Sequence, residues 1–313
     1  MIDAGPHRER PDERRTGPPA GRRRGLKKGL YVIPSALTAA NIAAGYYAVM
    51  SALRGFQLAT AADVGARAPA ALYFDYAALA IWWACLFDTL DGRIARLTKT
   101  TTEIGVHLDS LADVLTFGIA PAILVYTWSY GAALSENSNL HKLGWFLSFM
   151  YLMCGAFRLA RFNVQATRPR VLAEGTTKVD KKNFIGLPIP MAAALIAAII
   201  HFHPAPVIWA GEEVAVAGSA LMMGLVATLA VLMVSTVRFS SFKTVGTGRR
   251  ATRVAILVLA ATGMLIWLYS RYVLLILAIA YTAHGPLLRV GALFRQHAKS
   301  EQKPDSLSPL NTP

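Results

Sequence analysis

Between Asp88 and Asp113 the chain reads D-T-L-D-G-R-I-A-R, then eight residues, then G-V-H-L-D-S-L-A-D. Asp88 and Asp91 are spaced i, i+3 and so share one helix face; Asp109 and Asp113, at i, i+4, share another. Four carboxylates converging from two helices repel one another unless cations sit between them. Hard divalent ions with oxygen ligands meet that need. The surroundings are apolar, and ionisable groups placed beside lipid mark functional sites. The pattern therefore points to a metal site held by Asp88, Asp91, Asp109 and Asp113.

The residues between the carboxylates fit a phosphate ligand. Gly92 removes a side chain beside Asp91 and leaves room for a ligand near the helix backbone. Ala95, one turn on, keeps that face low. Arg96 offers a planar, permanently charged fork suited to phosphate. Gly105 relieves the turn into the next helix or lets two helices pack closely. Each has an ordinary structural reading when taken singly; at one spacing and one depth they describe a site.

The elements that must carry these residues are membrane helices. Of 313 residues, 54% are hydrophobic and 16% charged, too apolar for a soluble chain of this length. Eight apolar stretches approach the roughly 20 residues needed to cross a bilayer. They run about 31–53, 72–92, 106–129, 143–163, 187–204, 216–236, 253–270 and 271–290. Only Ser270 and Arg271 part the last two, so one long bent segment is an alternative. The expected fold is an all-α polytopic bundle of about eight transmembrane helices, with its catalytic domain at 30–292. Residues 1–29, rich in Pro, Arg and Glu without apolar periodicity, read as a disordered basic tail. Residues 293–313 read as a polar C-terminal tail. Cys85 and Cys154 lie in apolar stretches and read as helix-packing residues.

Basic residues orient the bundle. With the N-terminus inside, inner segments carry Arg22–Arg24, Lys27, Lys28, Arg93, Arg96 and Lys99. They also carry seven basic residues from Arg158 to Lys182 and five from Arg238 to Arg253. Outer segments hold Arg54, Arg67, Lys142 and Arg271. Both termini are thus expected inside. The net charge of +14 is accounted for by this bias and by attraction to anionic headgroups, with no nucleic-acid partner implied. Both aspartate pairs fall at one depth near the cytoplasmic interface, where a soluble substrate and a lipid can meet.

The 26-residue stretch resembles the signature of the CDP-alcohol phosphatidyltransferases, D-x-x-D-G-x-x-A-R-x8-G-x-x-x-D-x-x-x-D, and matches it at every fixed position. The segments Thr100–Ala122, Phe157–Asn163 (F-R-L-A-R-F-N), Phe184–Pro190 (F-I-G-L-P-I-P) and Ser235–Lys243 (S-T-V-R-F-S-S-F-K) are similar to the serine-accepting branch. In all, the resemblance covers roughly residues 30–245. It implies transfer of a phosphatidyl group from CDP-diacylglycerol to L-serine, releasing CMP. By the same resemblance Asp88, Asp91 and Asp109 hold divalent metal, Mg²⁺ or Mn²⁺ and two ions, together with the diphosphate. Asp113 completes the metal site and serves as general base. Asp88, Asp91, Gly92, Ala95, Arg96, Gly105 and Thr38 would contact the CDP-lipid. The chain departs from the family at P-S-x-x-T (Pro34, Ser35, Thr38), where P-N-x-x-T is usual. The resemblance further implies a homodimer in a bacterial-type cytoplasmic membrane, among membrane lipids, with the active site facing the cytoplasm.

An amino-acid acceptor needs its carboxylate recognised. Arg158 and Arg161, i to i+3 at the inner end of the fourth span, are the first candidates, with holding the lipid phosphate as the alternative for either and Asn163 capping or hydrogen-bonding nearby. Arg238 and Lys243 are the next. All four cations have helix anchoring as their plain alternative. Phe184–Pro190 is expected to lead into the fifth span, or to shape the acceptor pocket. His107 reads as an interfacial group, and His201 and His203 as facing water at an outer helix end. No Ser-His-Asp arrangement is legible. Competing functions are the same chemistry on glycerol 3-phosphate, an inositol or choline, and a cation transporter.

Overall fold

The computed structural model describes residues 22–61, 65, 67–98, 103–167, 183–240 and 249–301. Among the described residues nine α-helices follow in order: α1 (Arg22–Ala59), α2 (Arg67–Thr98), α3 (Glu103–Asp113), α4 (Ala120–Trp128), α5 (Tyr130–Ala133), α6 (Asn139–Thr167), α7 (Ile189–Phe202), α8 (Glu212–Val234) and α9 (Arg249–Glu301). Six apolar helical stretches among these residues are long enough to cross a membrane, and α7 is a shorter apolar helix. This is the multi-pass all-helical fold expected from composition.

Two differences in boundary have physical causes. Residues 22–29, expected within a disordered tail, are helical. Arg, Lys and Leu are good helix formers, and no proline interrupts 22–33. The stretches expected at 253–270 and 271–290 lie on one helix, α9, which bends at Tyr269 (φ −136°, ψ 44°). The break at Tyr269 separates two helical runs, and the second carries helix to Glu301, into the segment read as a C-terminal tail.

Small residues set the packing of α1 on α2. Ala48, Ala52, Ala70, Ala77, Ala78 and Ala84 are buried, and Phe74 lies against Gly55, where a Cβ would come within 3.2 Å of its ring. At the centre sits α7, whose Ile189, Ala192–Ala198 and Ile200 are nearly all buried, so the helix is apolar all round. Trp83, Trp145 and Trp267 face outward, as a lipid-facing surface requires.

The third span is one run of helix, 104–133, with a π-helical turn at Val114–Ile119. Pro121 explains it in part. A proline has no N–H to return to the carbonyl four residues earlier, here Phe117. The Tyr151 hydroxyl donates to Phe117 O at 3.1 Å instead. Among the described residues one strand pair occurs: β1 (Asn183–Ile185) runs antiparallel to β2 (Arg238–Ser240), with Phe184 opposite Phe239. Two of the four segments that resemble the serine-accepting branch, those beginning at Phe184 and Ser235, are therefore neighbours in space.

Candidate active site

Three of the four aspartates converge. Ligand oxygens of Asp88 and Asp91 from α2 and of Asp109 from α3 all lie within 4.8 Å of one another. At an effective dielectric near 20, charges that close repel by at least about 3 kcal/mol per pair. A divalent cation removes that repulsion, and an all-oxygen donor set suits Mg²⁺ or Mn²⁺. Asp91 is 4% exposed and accepts a hydrogen bond from Thr38 Oγ1 of α1 at 3.2 Å. Thr38 thereby orients one carboxylate oxygen of Asp91.

Asp113, the last residue of α3, is 9% exposed. Its Oδ1 and Asp109 Oδ1 are buried without a hydrogen-bond partner among the described residues. Buried carboxylate oxygens are rarely left so, and bound cations or substrate protons are what they are suited to meet. The charges within electrostatic reach of Asp113 are Asp88, Asp109 and Asp91, and, of opposite sign, Arg158. The π-turn fixes where Asp113 stands, because Thr116 Oγ1 donates to Asn41 O of α1 at 3.2 Å. π-Turns of this kind recur at functional sites.

Arg158 faces the cluster from α6. Asn163 Nδ2 donates to Ser110 Oγ at 2.8 Å, and Tyr151 reaches Phe117, so the antiparallel α6 sets Arg158 level with Asp113. Arg158 is 9% exposed, and its Nε has no partner among the described residues. Tyr281 of α9 lies within its electrostatic reach. Arg161, one turn further inward, donates to Val234 O at 3.5 Å and lies close to Gly186. Gly186 has φ +83°, and a Cβ there would run into Met233 O, so only glycine turns the chain from β1 into α7. Arg161 and Asn163 are thus tied to protein groups, whereas Arg158 keeps an unused donor.

Gly92 and Gly105 lie on α2 and α3, next to the aspartates they were grouped with. Ala95 and Arg96 are helical on α2 and Arg238 lies on β2, but their side chains fall outside the described residues, as does all of Lys243. His107 is exposed, and both cysteines are free.

One expectation is corrected. His201 does not face water: it is 3% exposed, with Nδ1 2.6 Å from Asp75 Oδ1 and Nε2 2.9 Å from Ser270 Oγ. An Asp-His-Ser contact therefore exists, joining α2, α7 and α9. Asp75 stands 126 residues before His201, so no local pattern could announce the pair. His203 is exposed as expected. Sequence reasoning also passed over Asn41 and Tyr281; the one legible signal was an asparagine three residues after Thr38 in an apolar helix.

An acidic cluster at the ends of two apolar helices, backed by a buried arginine, marks an integral-membrane protein whose site has the donor set to hold a divalent metal. Similarity to known proteins narrows this. Residues 31–230 match the family model described as CDP-alcohol phosphatidyltransferase, and the chain belongs to that family. It is 32% identical over 216 residues to the CDP-diacylglycerol–serine O-phosphatidyltransferase of Helicobacter pylori, covering 69% of this chain and 75% of that one. Proteins of the same name from Methanocaldococcus jannaschii (38% over 116 residues; 37% and 46% of the two chains) and Saccharomyces cerevisiae (33% over 165 residues; 53% and 52%) are also similar.

Proposed function

We propose that the chain transfers the phosphatidyl group of CDP-diacylglycerol to the hydroxyl of L-serine, giving phosphatidylserine and CMP. The observation that carries this is the convergence of Asp88, Asp91 and Asp109, with a buried Asp113 set level with Arg158. The names of the similar proteins support the donor and the acceptor.

In this reading Asp88, Asp91 and Asp109 hold divalent metal, two ions, against the diphosphate, and Asp113 shares in that site. Bound there, the cations neutralise the diphosphate and stabilise the departing CMP phosphate. Thr38 keeps Asp91 in position, and Gly92, Ala95, Arg96 and Gly105 line the CDP-lipid. Arg158 holds the serine carboxylate by charge-assisted hydrogen bonds. Asp113 accepts the hydroxyl proton as the serine oxygen bonds to the lipid-side phosphorus and the bond from that phosphorus to CMP breaks. Arg161 and Asn163 act by holding the inner ends of α6, α3 and α8 together, and Arg238 and Lys243 are further acceptor-side or anchoring cations.

The topology belongs to the same reading. Gly186 N bonds Val237 O, and Leu187 N bonds Leu232 O, so α7 starts at the membrane side where α8 ends. Ser270 meets His201 at the far end of α7, while Arg289 meets Thr236 at the near side. Residues 270–289 therefore cross once, over about 28 Å. A straight α9 would carry Arg249 about 30 Å beyond Ser270. Nine chain steps from Ser240 reach only about 32 Å, too short for that gap. A fold-back at Tyr269 closes it and gives eight crossings with both termini inside. The site then faces the cytoplasm of a cytoplasmic membrane, in a homodimer, with tails at 1–29 and 293–313 flanking the catalytic domain.

The test is CMP release by the purified protein with CDP-diacylglycerol and Mg²⁺ or Mn²⁺, comparing L-serine, glycerol 3-phosphate, inositol and choline. Serine-dependent release supports the proposal. Release with another acceptor keeps the chemistry and removes serine, and a protein that is folded but inactive with all four contradicts the transferase reading.

A further inference from the structure

Asn41 is wholly buried, 0% exposed, yet neither its Oδ1 nor its Nδ2 has a hydrogen-bond partner among the described residues. A buried carboxamide with both atoms idle is unfavourable, and native proteins seldom keep one without a use. Its place is specific. One turn before it, Thr38 bonds Asp91. Its own carbonyl accepts from Thr116, one turn after Asp113. Gly45, one turn beyond, has no room for a Cβ against Thr116, so α1 presses directly on the π-turn here. Asn41 thus sits where α1 closes the gap between the Asp91 and Asp113 ends of the site.

Buried groups with unused polar atoms in this region include the Asp113 carboxylate, the Arg158 guanidinium and the Asn41 amide. Together these three are the complement of a hydroxy amino acid, which brings a hydroxyl, a carboxylate and an ammonium group. The ammonium needs an acceptor that does not add a fifth negative charge to four aspartates. A neutral amide oxygen is such an acceptor, and the adjacent amide nitrogen can serve the neighbouring carboxylate.

We infer that Asn41 is an acceptor-binding residue whose Oδ1 receives the α-ammonium group of the amino acid whose carboxylate Arg158 holds and whose hydroxyl gives its proton to Asp113. This rests on the serine reading given above and names the residue that makes the site select a zwitterion over a plain alcohol.

The experiment uses the full chain in detergent. Asn41→Leu is compared with wild type for the KM of L-serine, the KM of CDP-diacylglycerol, and inhibition by L-alanine, which keeps both charges but lacks the hydroxyl. Inhibition by 3-hydroxypropionate, which lacks the ammonium, is the control. The expected result is a rise of about ten- to a hundredfold in the serine KM and the alanine inhibition constant. The CDP-diacylglycerol KM and 3-hydroxypropionate inhibition should stay within about twofold of wild type. Unchanged serine and alanine values, or a rise in the CDP-diacylglycerol KM, overturn the inference. Asn41→Ser, small and polar, carries the same readouts if the leucine variant does not fold. Wild type that ignores serine but uses another alcohol would sink the serine reading; wild type that uses serine with Asn41 variants unaffected would sink only this inference.

Discussion

At the scale of residues, the site divides by what each side chain touches. Asp88, Asp91 and Asp109 share one small volume; Asp113 borders it from the end of α3. Replacing Asp113 by Asn keeps size and removes proton acceptance. Turnover should fall by about 10²–10⁴-fold with CDP-diacylglycerol binding retained, measured by CMP release and by equilibrium binding of the donor lipid. A chelator should abolish activity and added Mn²⁺ or Mg²⁺ should restore it; activity indifferent to chelation would contradict a metal-held diphosphate. The aspartates were legible because carboxylates in an apolar chain are costly to bury and are kept where they bind something. Their partner Thr38 was legible only through resemblance, and Asn41 only as an asparagine three residues after it in an apolar helix, a signal too slight to assign a role. Arg161 looked equal to Arg158 in sequence, with Asn163 a neighbour of both. The backbone and serine partners of Arg161 and Asn163 lie on other helices, and only three-dimensional proximity separates the arginine with a spare donor.

At the scale of elements, two local devices hold the site. The π-turn after Asp113 depends on Tyr151 answering the carbonyl that Pro121 cannot bond. Tyr151→Phe leaves that buried carbonyl unsatisfied and should destabilise the protein by about 1–3 kcal/mol, read as a lowered thermal midpoint in detergent. The second device lies at the opposite end of the bundle, where His201 joins Asp75 and Ser270 across α2, α7 and α9. His201→Ala strands Asp75 and should cost about 3 kcal/mol of stability. Metal affinity, measured by Mn²⁺ binding, should not change, because the aspartate cluster lies at the other end of α2. Helix spacing could forecast neither device. A π-turn breaks the 3.6-residue period that such reading relies on, and the His201 contact spans 126 positions.

At the scale of the whole molecule, hydropathy marked the apolar stretches, 253–270 and 271–290 among them, and basic residues suggested their direction, while two spans or one bent segment stayed open for that last pair. Ser270 and Arg271 are too short a gap to signal a turn, and the proposed fold-back at Tyr269 is argued from the Ser270–His201 and Arg289–Thr236 contacts at the two ends of α7. With Cys85 and Cys154 replaced, a cysteine at Tyr269 should react with a membrane-impermeant thiol reagent from outside intact cells. Cysteines at Arg249 and Arg289 should react only after permeabilisation. Labelling of Arg249 and Arg289 from opposite sides would remove the eight-crossing topology and leave α9 a single span.

The central claim is that a serine hydroxyl displaces CMP at the lipid-side phosphorus, within a site built on Asp88, Asp91, Asp109 and Asp113. The most direct measurement is to supply L-serine labelled with ¹⁸O in its hydroxyl, together with CDP-diacylglycerol and divalent metal, and to weigh both products. The account predicts phosphatidylserine carrying the label and CMP carrying none. Unlabelled phosphatidylserine, labelled CMP, or phosphatidic acid as the lipid product would contradict it.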